Sequence, residues 1–206
     1  MFKSTSLLLA GIASLFVANA ATAADTANAM APQTYMGLNL AVQSKYDLSC
    51  ASTSPCDRKA NSSGKIFGGY MMAPSLFEGV NVSQGVELMY YKVGNAKALF
   101  DSSNGMQAGT GNTKGVAASY VLQANFNDFS INGRAGVSYA QSKVNYLSGG
   151  SSSDKSFFVP VVGLGMRYAI TPNVTLNADY DRLPDRFNDK EKGSVNMFSL
   201  GVGYKF

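Results

Sequence analysis

The chain has 206 residues, with 17 Lys and Arg against 13 Asp and Glu and no His. A net charge of +4 without a basic cluster gives no nucleic-acid surface, and the missing imidazole removes the Ser-His-acid and Asp-His arrangements of hydrolases. Charged residues make up only 15%, while Gly (21), Phe (12) and Tyr (11) are plentiful, a mixture that suits strands and tight turns more than helices.

In chain order the first expected element is a signal peptide over residues 1–23, ahead of one domain over 24–206. Lys3 gives a basic start, Leu7 to Val17 is apolar, and Ala18-Asn-Ala20 and Ala21-Thr-Ala23 fit the small-x-small cleavage pattern. The apolar run is short of the ~20 residues a spanning helix needs. Secretion implies an oxidising compartment, so the two cysteines, Cys50 and Cys56, are expected to form a disulfide rather than a metal site. Such a bridge closes a short loop and pins local geometry.

Eight segments then alternate with period two, the strand period. In the first, Met36, Leu38, Leu40 and Val42 alternate with Gly37, Asn39, Ala41 and Gln43. The second has Ile66, Gly68, Tyr70 and Met72 on one face and Phe67, Gly69 and Met71 on the other, which leaves its sidedness open. The third sets Val86, Leu88 and Tyr90 against Glu87, Met89 and Tyr91, and the fourth sets Val116, Ala118, Tyr120, Leu122 and Ala124 against Ser119 and Gln123. In the fifth, Phe129, Ile131, Gly133, Ala135, Val137 and Tyr139 oppose Ser130, Asn132, Arg134, Gly136 and Ser138. The sixth opposes Phe158, Pro160, Val162, Leu164, Met166 and Tyr168 to Gly163, Gly165 and Arg167. In the seventh, Val174, Leu176, Ala178 and Tyr180 stand against Thr175, Asn177, Asp179 and Asp181. The eighth ends the sequence, with Phe198, Leu200, Val202, Tyr204 and Phe206 opposite Ser199, Gly201, Gly203 and Lys205.

The connections alternate in length. Asn125-Phe-Asn-Asp128 and Thr171-Pro-Asn173 read as tight turns, with residues 74–84 as a longer link at the same end. The other end is expected to carry four long polar loops, 44–63, 92–114, 141–156 and 182–193. Their lysines read as solvated residues or as contacts to anionic lipid heads. Short turns at one end, long polar loops at the other and an even strand number predict an all-β, eight-stranded antiparallel up-and-down transmembrane barrel. The interior of eight strands is only just filled by side chains and could not hold so much bulk, so the large apolar face belongs in lipid and the Gly, Ser, Asn and Gln face, with a few charges, inside. This sidedness argues against a soluble lipocalin-like carrier. Tyr70, Tyr90, Tyr120, Tyr139, Tyr168, Tyr180 and Tyr204 would then form aromatic girdles at the two interfaces.

Glu87, Arg134, Arg167, Asp179, Asp181 and Lys205 fall on inward faces. Buried charges of opposite sign should pair. The cluster reads either as a structural salt-bridge plug, which the narrow lumen favours, or as a gated ion pathway. Glu87 with Asp179 can be drawn as a catalytic carboxylate pair, but nearby arginines would neutralise both. Gly163-Leu-Gly165 is strand glycine rather than a nucleotide loop, and no metal or cofactor site is expected.

Five pieces resemble a known family: Phe67-Gly-Gly-Tyr70, Gly85-Val-Glu-Leu88, Gly133-Arg134, Tyr168-Ala-Ile-Thr-Pro172 and Leu200-Gly-Val-Gly-Tyr-Lys-Phe206. They are similar to the transmembrane domain of outer membrane protein A and to the small eight-stranded opacity and adhesion barrels, over residues 35–206. The resemblance implies an interior ionic network, with Glu87, Arg134 and Asp179 at matching places. It also implies a terminal strand, with Tyr204 and Phe206, that the barrel-assembly machinery reads. The peptidoglycan-binding domain of outer membrane protein A has no counterpart before Phe206, and the Cys50 to Cys56 loop is outside the shared pattern.

The expected role is that of a bacterial outer-membrane protein, structural and surface-interacting through four extracellular loops. The alternative is a narrow channel for ions or small solutes. A lipid-modifying enzyme is disfavoured by the missing His, so no catalytic activity is expected. Expected partners are outer-membrane lipids, the assembly machinery and host or cell-surface molecules, with no nucleic acid.

Overall fold

A computed structural model describes residues 31–47, 59–60, 62–77, 79–102, 105–146, 153–186 and 192–206. The expected signal peptide and both cysteines, Cys50 and Cys56, lie outside the described residues. The strands are β1 (Gln33–Asp47), β2 (Gly64–Met71), β3 (Ser75–Phe77), β4 (Val80–Ser102), β5 (Gly105–Phe126), β6 (Phe129–Tyr146), β7 (Ser153–Ala169), β8 (Val174–Arg186) and β9 (Lys192–Lys205).

Their order is β2-β1-β9-β8-β7-β6-β5-β4-β3, and β2 also pairs with β4. That last pairing closes eight strands into a ring, every neighbour antiparallel. Closure leaves no edge whose N–H and C=O groups would face hydrocarbon unpaired. β3 stands outside the ring and pairs only with the start of β4, from Ser75 opposite Val82 to Phe77 opposite Val80. The sequence reading took this stretch for a plain link. Gly79, at φ 83, turns the chain between β3 and β4 in a conformation that side-chain-bearing residues rarely adopt.

Period two sorts the side chains as expected. Leu40, Val86, Val137, Phe158, Leu164 and Leu200 all point outward, Phe158 being 74% exposed. On β2, Ile66 and Tyr70 face out while Phe67 and Met71 are buried, which settles the one segment whose sidedness was open. In β1 a bulge between Ala41 and Gln43 shifts the alternation by one residue, so that Ser44 and Tyr46 continue the inward face.

The expected long loops require correction. Most of 92–114 is a strand hairpin, with β4 and β5 paired out to Ser102 opposite Gly105. β6 reaches Tyr146 before β7 starts at Ser153, and β8 reaches Arg186 before β9 starts at Lys192. Backbone pairing continues where the outward face turns polar at Lys92, Asn95, Lys114, Lys143 and Arg182, while the inward Val93, Ala96, Val144 and Leu183 stay apolar and buried. The tight turns are as read: Asn127 (φ 51) and Asp128 alone join β5 to β6. At the next turn the Thr171 hydroxyl accepts from Val174 N–H at 3.0 Å.

The interior has two layers. Toward the long-hairpin end it is apolar, with Met89, Tyr91 and Val93 of β4 meeting Val144, Val161, Leu183, Val195 and Met197. The sequence reading places Met89 and Tyr91 on the inward face but otherwise makes that face small and polar, so the remainder of this layer is a second correction. Toward the short-turn end the interior holds the charge cluster, with Tyr35, Phe67, Met71 and Val121 buried beside it.

Candidate functional site: the charge cluster inside the barrel

Each charged side chain enters the lumen because its strand parity forces it there. Arg134 on β6 stands opposite Gly163 of β7, and Asp179 on β8 stands opposite Gly165 of β7. A Cβ on Gly163 would sit 2.5 Å from Arg134 Nε, and one on Gly165 would overlap Asp179 Oδ1. The two glycines leave the room into which the guanidinium and the carboxylates fold.

Arg134 is the hub. Its Nε donates to Asp181 Oδ1 at 2.9 Å and its Nη1 to Asp179 Oδ1 at 3.2 Å. Its Nη2 lies 2.7 Å from Asp181 Oδ1, and Glu87 Oε1 is farther from the guanidinium, at 3.8 Å. Lys65 covers the other side of the aspartates: its Nζ is 2.6 Å from Asp181 Oδ2 and 3.0 Å from Asp179 Oδ2. Asn39 donates to Asp179 Oδ2 at 2.6 Å.

A second group sits closer to the short turns. Arg167 Nη2 reaches Glu87 Oε2 at 3.3 Å and its Nη1 donates to Gln123 Oε1 at 3.1 Å. The Tyr35 hydroxyl donates to the same Glu87 Oε2 at 2.8 Å, and Arg167 stacks over the Tyr35 ring at 4.3 Å. Such stacking stabilises a guanidinium whose water has been removed.

Three cations, Lys65, Arg134 and Arg167, thus balance three anions, Glu87, Asp179 and Asp181, and all six are buried. A neutral set is what burial demands, since an uncompensated charge here would cost several kcal/mol. The carboxylates are engaged as acceptors, so the arrangement acts as a crosslink between strands far apart in the ring rather than as an acid–base pair.

Five of the six inward charges named from sequence, Glu87, Arg134, Arg167, Asp179 and Asp181, come together. Lys205 does not join them: it lies half-buried at the short-turn end and forms no ion pair with a described acid. Sequence reasoning missed Lys65, Tyr35, Asn39 and Gln123 as network members. Lys65 shares parity with Phe67 and Met71, so a decided sidedness for β2 would have found it. At the sequence end, Tyr204 faces out, its ring edge-on to Phe206 at 5.0 Å, and Phe206 N–H donates to Thr34 O at 2.9 Å.

Comparison with known proteins agrees with this geometry. A family model described as the outer membrane protein β-barrel domain matches residues 7–206. No curated protein matches the chain. Among solved structures, Neisserial surface protein A is similar at 22% identity and a TM-score of 0.58, over 84% of this chain and 97% of that one. Ail, the attachment invasion locus protein of Yersinia pestis, solved with the heparin analogue sucrose octasulfate, is similar at 19% identity and a TM-score of 0.55, over 86% of this chain and 100% of that one. The outer membrane protein OprG of Pseudomonas aeruginosa is similar at 14% identity and a TM-score of 0.55, over 86% of this chain and 97% of that one. At these identities the likeness is one of fold.

Proposed function

The chain belongs to the outer membrane β-barrel family, located in the bacterial outer membrane, and from that premise we propose that it is a structural and surface-interaction protein, without enzymatic activity, that meets host or cell-surface molecules through its long-hairpin end. The observation that carries this is the contrast between a filled lumen and an overgrown rim. The charge cluster and the apolar layer above it occupy the barrel interior. Meanwhile β4 and β5 run for 23 and 22 residues, against the ~9–11 that cross a bilayer. Short turns lie on the periplasmic side in such barrels and long connections outside, so the surplus length stands above the cell surface. Ail, of the same fold, was solved with a heparin analogue, which supports sulfated surface sugars as one partner class.

The test is adhesion of bacteria expressing the chain to cultured cells or to immobilised heparin. A version in which residues 96–111 are replaced by a two-residue turn keeps the barrel and should lose binding. Retained binding would overturn the reading.

A second reading, a narrow channel, draws on one detail. Glu87 is the loosely held acid: its Oε1 accepts no hydrogen bond, and its contact with Arg134 is the longest in the cluster. A Glu87 that exchanged between Arg134 and Arg167 would gate the lumen.

The same proposal assigns Tyr204 and Phe206 as the segment read by the assembly machinery, residues 1–23 as the secretion signal, and Cys50 and Cys56 as a disulfide within the first extracellular loop.

A further inference from the structure

The charges inside the barrel fall into two groups. In the upper one Lys65 and Arg134 balance Asp179 and Asp181. In the lower one, nearer the short turns, Arg167 pairs with Glu87. β9 adds Lys205 to this lower group, inward by strand parity and half-buried. The lower group therefore carries one positive charge in excess. Among the described residues the Lys205 ammonium has no ion pair and no hydrogen bond.

The backbone of Lys205 is fixed. Its N–H donates to Asn173 O at 2.8 Å, and the Asn173 side-chain amide donates to Lys205 O at 2.9 Å. Tyr35 of β1 stands opposite Lys205, and Arg167 stacks over the Tyr35 ring at 4.3 Å. Two like charges thus face the same short stretch of lumen. Glu87 offers Lys205 nothing: one oxygen serves Arg167 and the Tyr35 hydroxyl, and the other is turned toward Arg134.

A buried donor stands beside the two cations. Asn177 of β8, 3% exposed, lies between Arg167 of β7 and Gly201 of β9 in register. Its Oδ1 accepts from Thr175 Oγ1 at 3.0 Å, while its Nδ2 has no partner among the described residues. That Nδ2 is turned toward Gly203, where a Cβ would sit 3.0 Å from it and 2.7 Å from Thr175 Oγ1. Gly203 precedes Lys205 by two residues on the same inward face. Across the ladder from Gly203 is Gly37, where a Cβ would overlap the Phe67 ring.

We propose that the periplasmic mouth of the lumen binds one chloride ion, held between the Lys205 ammonium and the Asn177 amide beside Gly203. The charge count calls for a single negative charge, because a cation drawn out of water needs a counter-charge. The donors come singly, from β8 and β9, rather than as a fork. That arrangement suits a small spherical ion better than a carboxylate or a phosphate, which take paired donors. The Arg167 charge adds to the attraction without giving up its bonds to Glu87 and Gln123.

The experiment follows the folded full-length chain by urea unfolding in lipid vesicles, with chloride replacing gluconate at constant ionic strength. A ligand bound only by the folded state stabilises it by mass action. Above the Kd, each tenfold rise in chloride should therefore raise the folded-to-unfolded ratio about tenfold. Lys205→Gln should abolish this dependence, and Lys205→Arg, which keeps the charge, should retain it. Crystals soaked in sodium bromide should show one anomalous peak per barrel beside Asn177 Nδ2, absent in Lys205→Gln. If Lys205→Gln does not fold, Gly203→Ala carries the test, since its Cβ crowds Asn177 and Thr175, and both signals should be lost. A parent midpoint that ignores chloride, or an equal dependence in Lys205→Gln, would overturn the proposal. A bromide peak without chloride-dependent stability would be an adventitious ion only and would overturn it too. Asp25 lies in the lead-in before β1. A chloride dependence seen only in Asp25→Asn would give the place to the chain's own carboxylate and also overturn the proposal.

Discussion

Lys65 Nζ lies 2.6 Å from Asp181 Oδ2, and neither side chain has any exposure to solvent. In the ring, β2 and β8 are separated by β1 and β9, so this pair spans the lumen rather than bridging neighbours. Removing one partner leaves a buried charge uncompensated, which costs about 3–5 kcal/mol. Lys65→Met and Asp181→Asn should each destabilise by that order. The double variant should recover part of the loss, because the remaining set of Arg134, Arg167, Glu87 and Asp179 is again neutral. Urea unfolding in lipid vesicles of the four proteins measures the coupling, and strictly additive losses would show that the pair does not interact.

Gly163 sits where Arg134 folds over, and a Cβ there would meet the Arg134 Nε and Asp181 Oδ1. Gly163→Leu should displace the guanidinium and destabilise by about 1–3 kcal/mol, the usual cost of overpacking. The same substitution at Gly133, which faces out, with Leu164 of β7 as its nearest neighbour at 3.8 Å, should cost little. Unfolding midpoints of the two variants compare directly.

Leu200 faces outward between Leu40 of β1 and Ala178 of β8 in register. Arg at a lipid-facing position near the bilayer midplane costs ~2–4 kcal/mol, so Leu200→Arg should lower the unfolding free energy in vesicles by that amount. An unchanged urea midpoint would place this face away from lipid.

Phe206 packs edge-on to Tyr204 and its N–H donates to Thr34 O, joining the last residue to β1. Deleting Phe206 should reduce the fraction of chain that reaches the outer membrane in a folded, heat-modifiable form. Boiled and unboiled electrophoresis of the membrane fraction reads this out, and an unchanged folded fraction would remove Phe206 from the assembly step.

How much of this was legible in the sequence depends on what kept the two strand faces chemically different. Within the apolar band the faces contrast sharply, and the outward positions of Leu38, Leu88, Ile131, Leu164, Leu176 and Leu200 were readable. Beyond the band the outward face of the β4–β5 hairpin turns polar at Lys92 and Lys114, and a register shift between Val93 and Ala96 breaks the inward period, so strand looked like loop. On β2, Phe67 and Met71 point in while Ile66 and Tyr70 point out, and two apolar faces carry no sign. That hid Lys65 and let Lys205 take its place in the expected network, although Lys205 lies at the lumen's end. The apolar layer of Val161, Leu183, Val195 and Met197 was missed because it lies where the polar face had been assumed to continue. The closing β2–β4 pair follows from an even number of antiparallel strands, but its register, Glu87 opposite Gly69, is set by tertiary packing that no local pattern encodes.

The most direct test of a filled, non-conducting barrel is single-channel recording of the full-length folded chain in planar bilayers. The neutral cluster around Arg134, under its apolar layer, should give no steady conductance in the parent protein. A steady conductance that changes on Arg134→Ala would contradict the closed lumen and establish the gated channel instead.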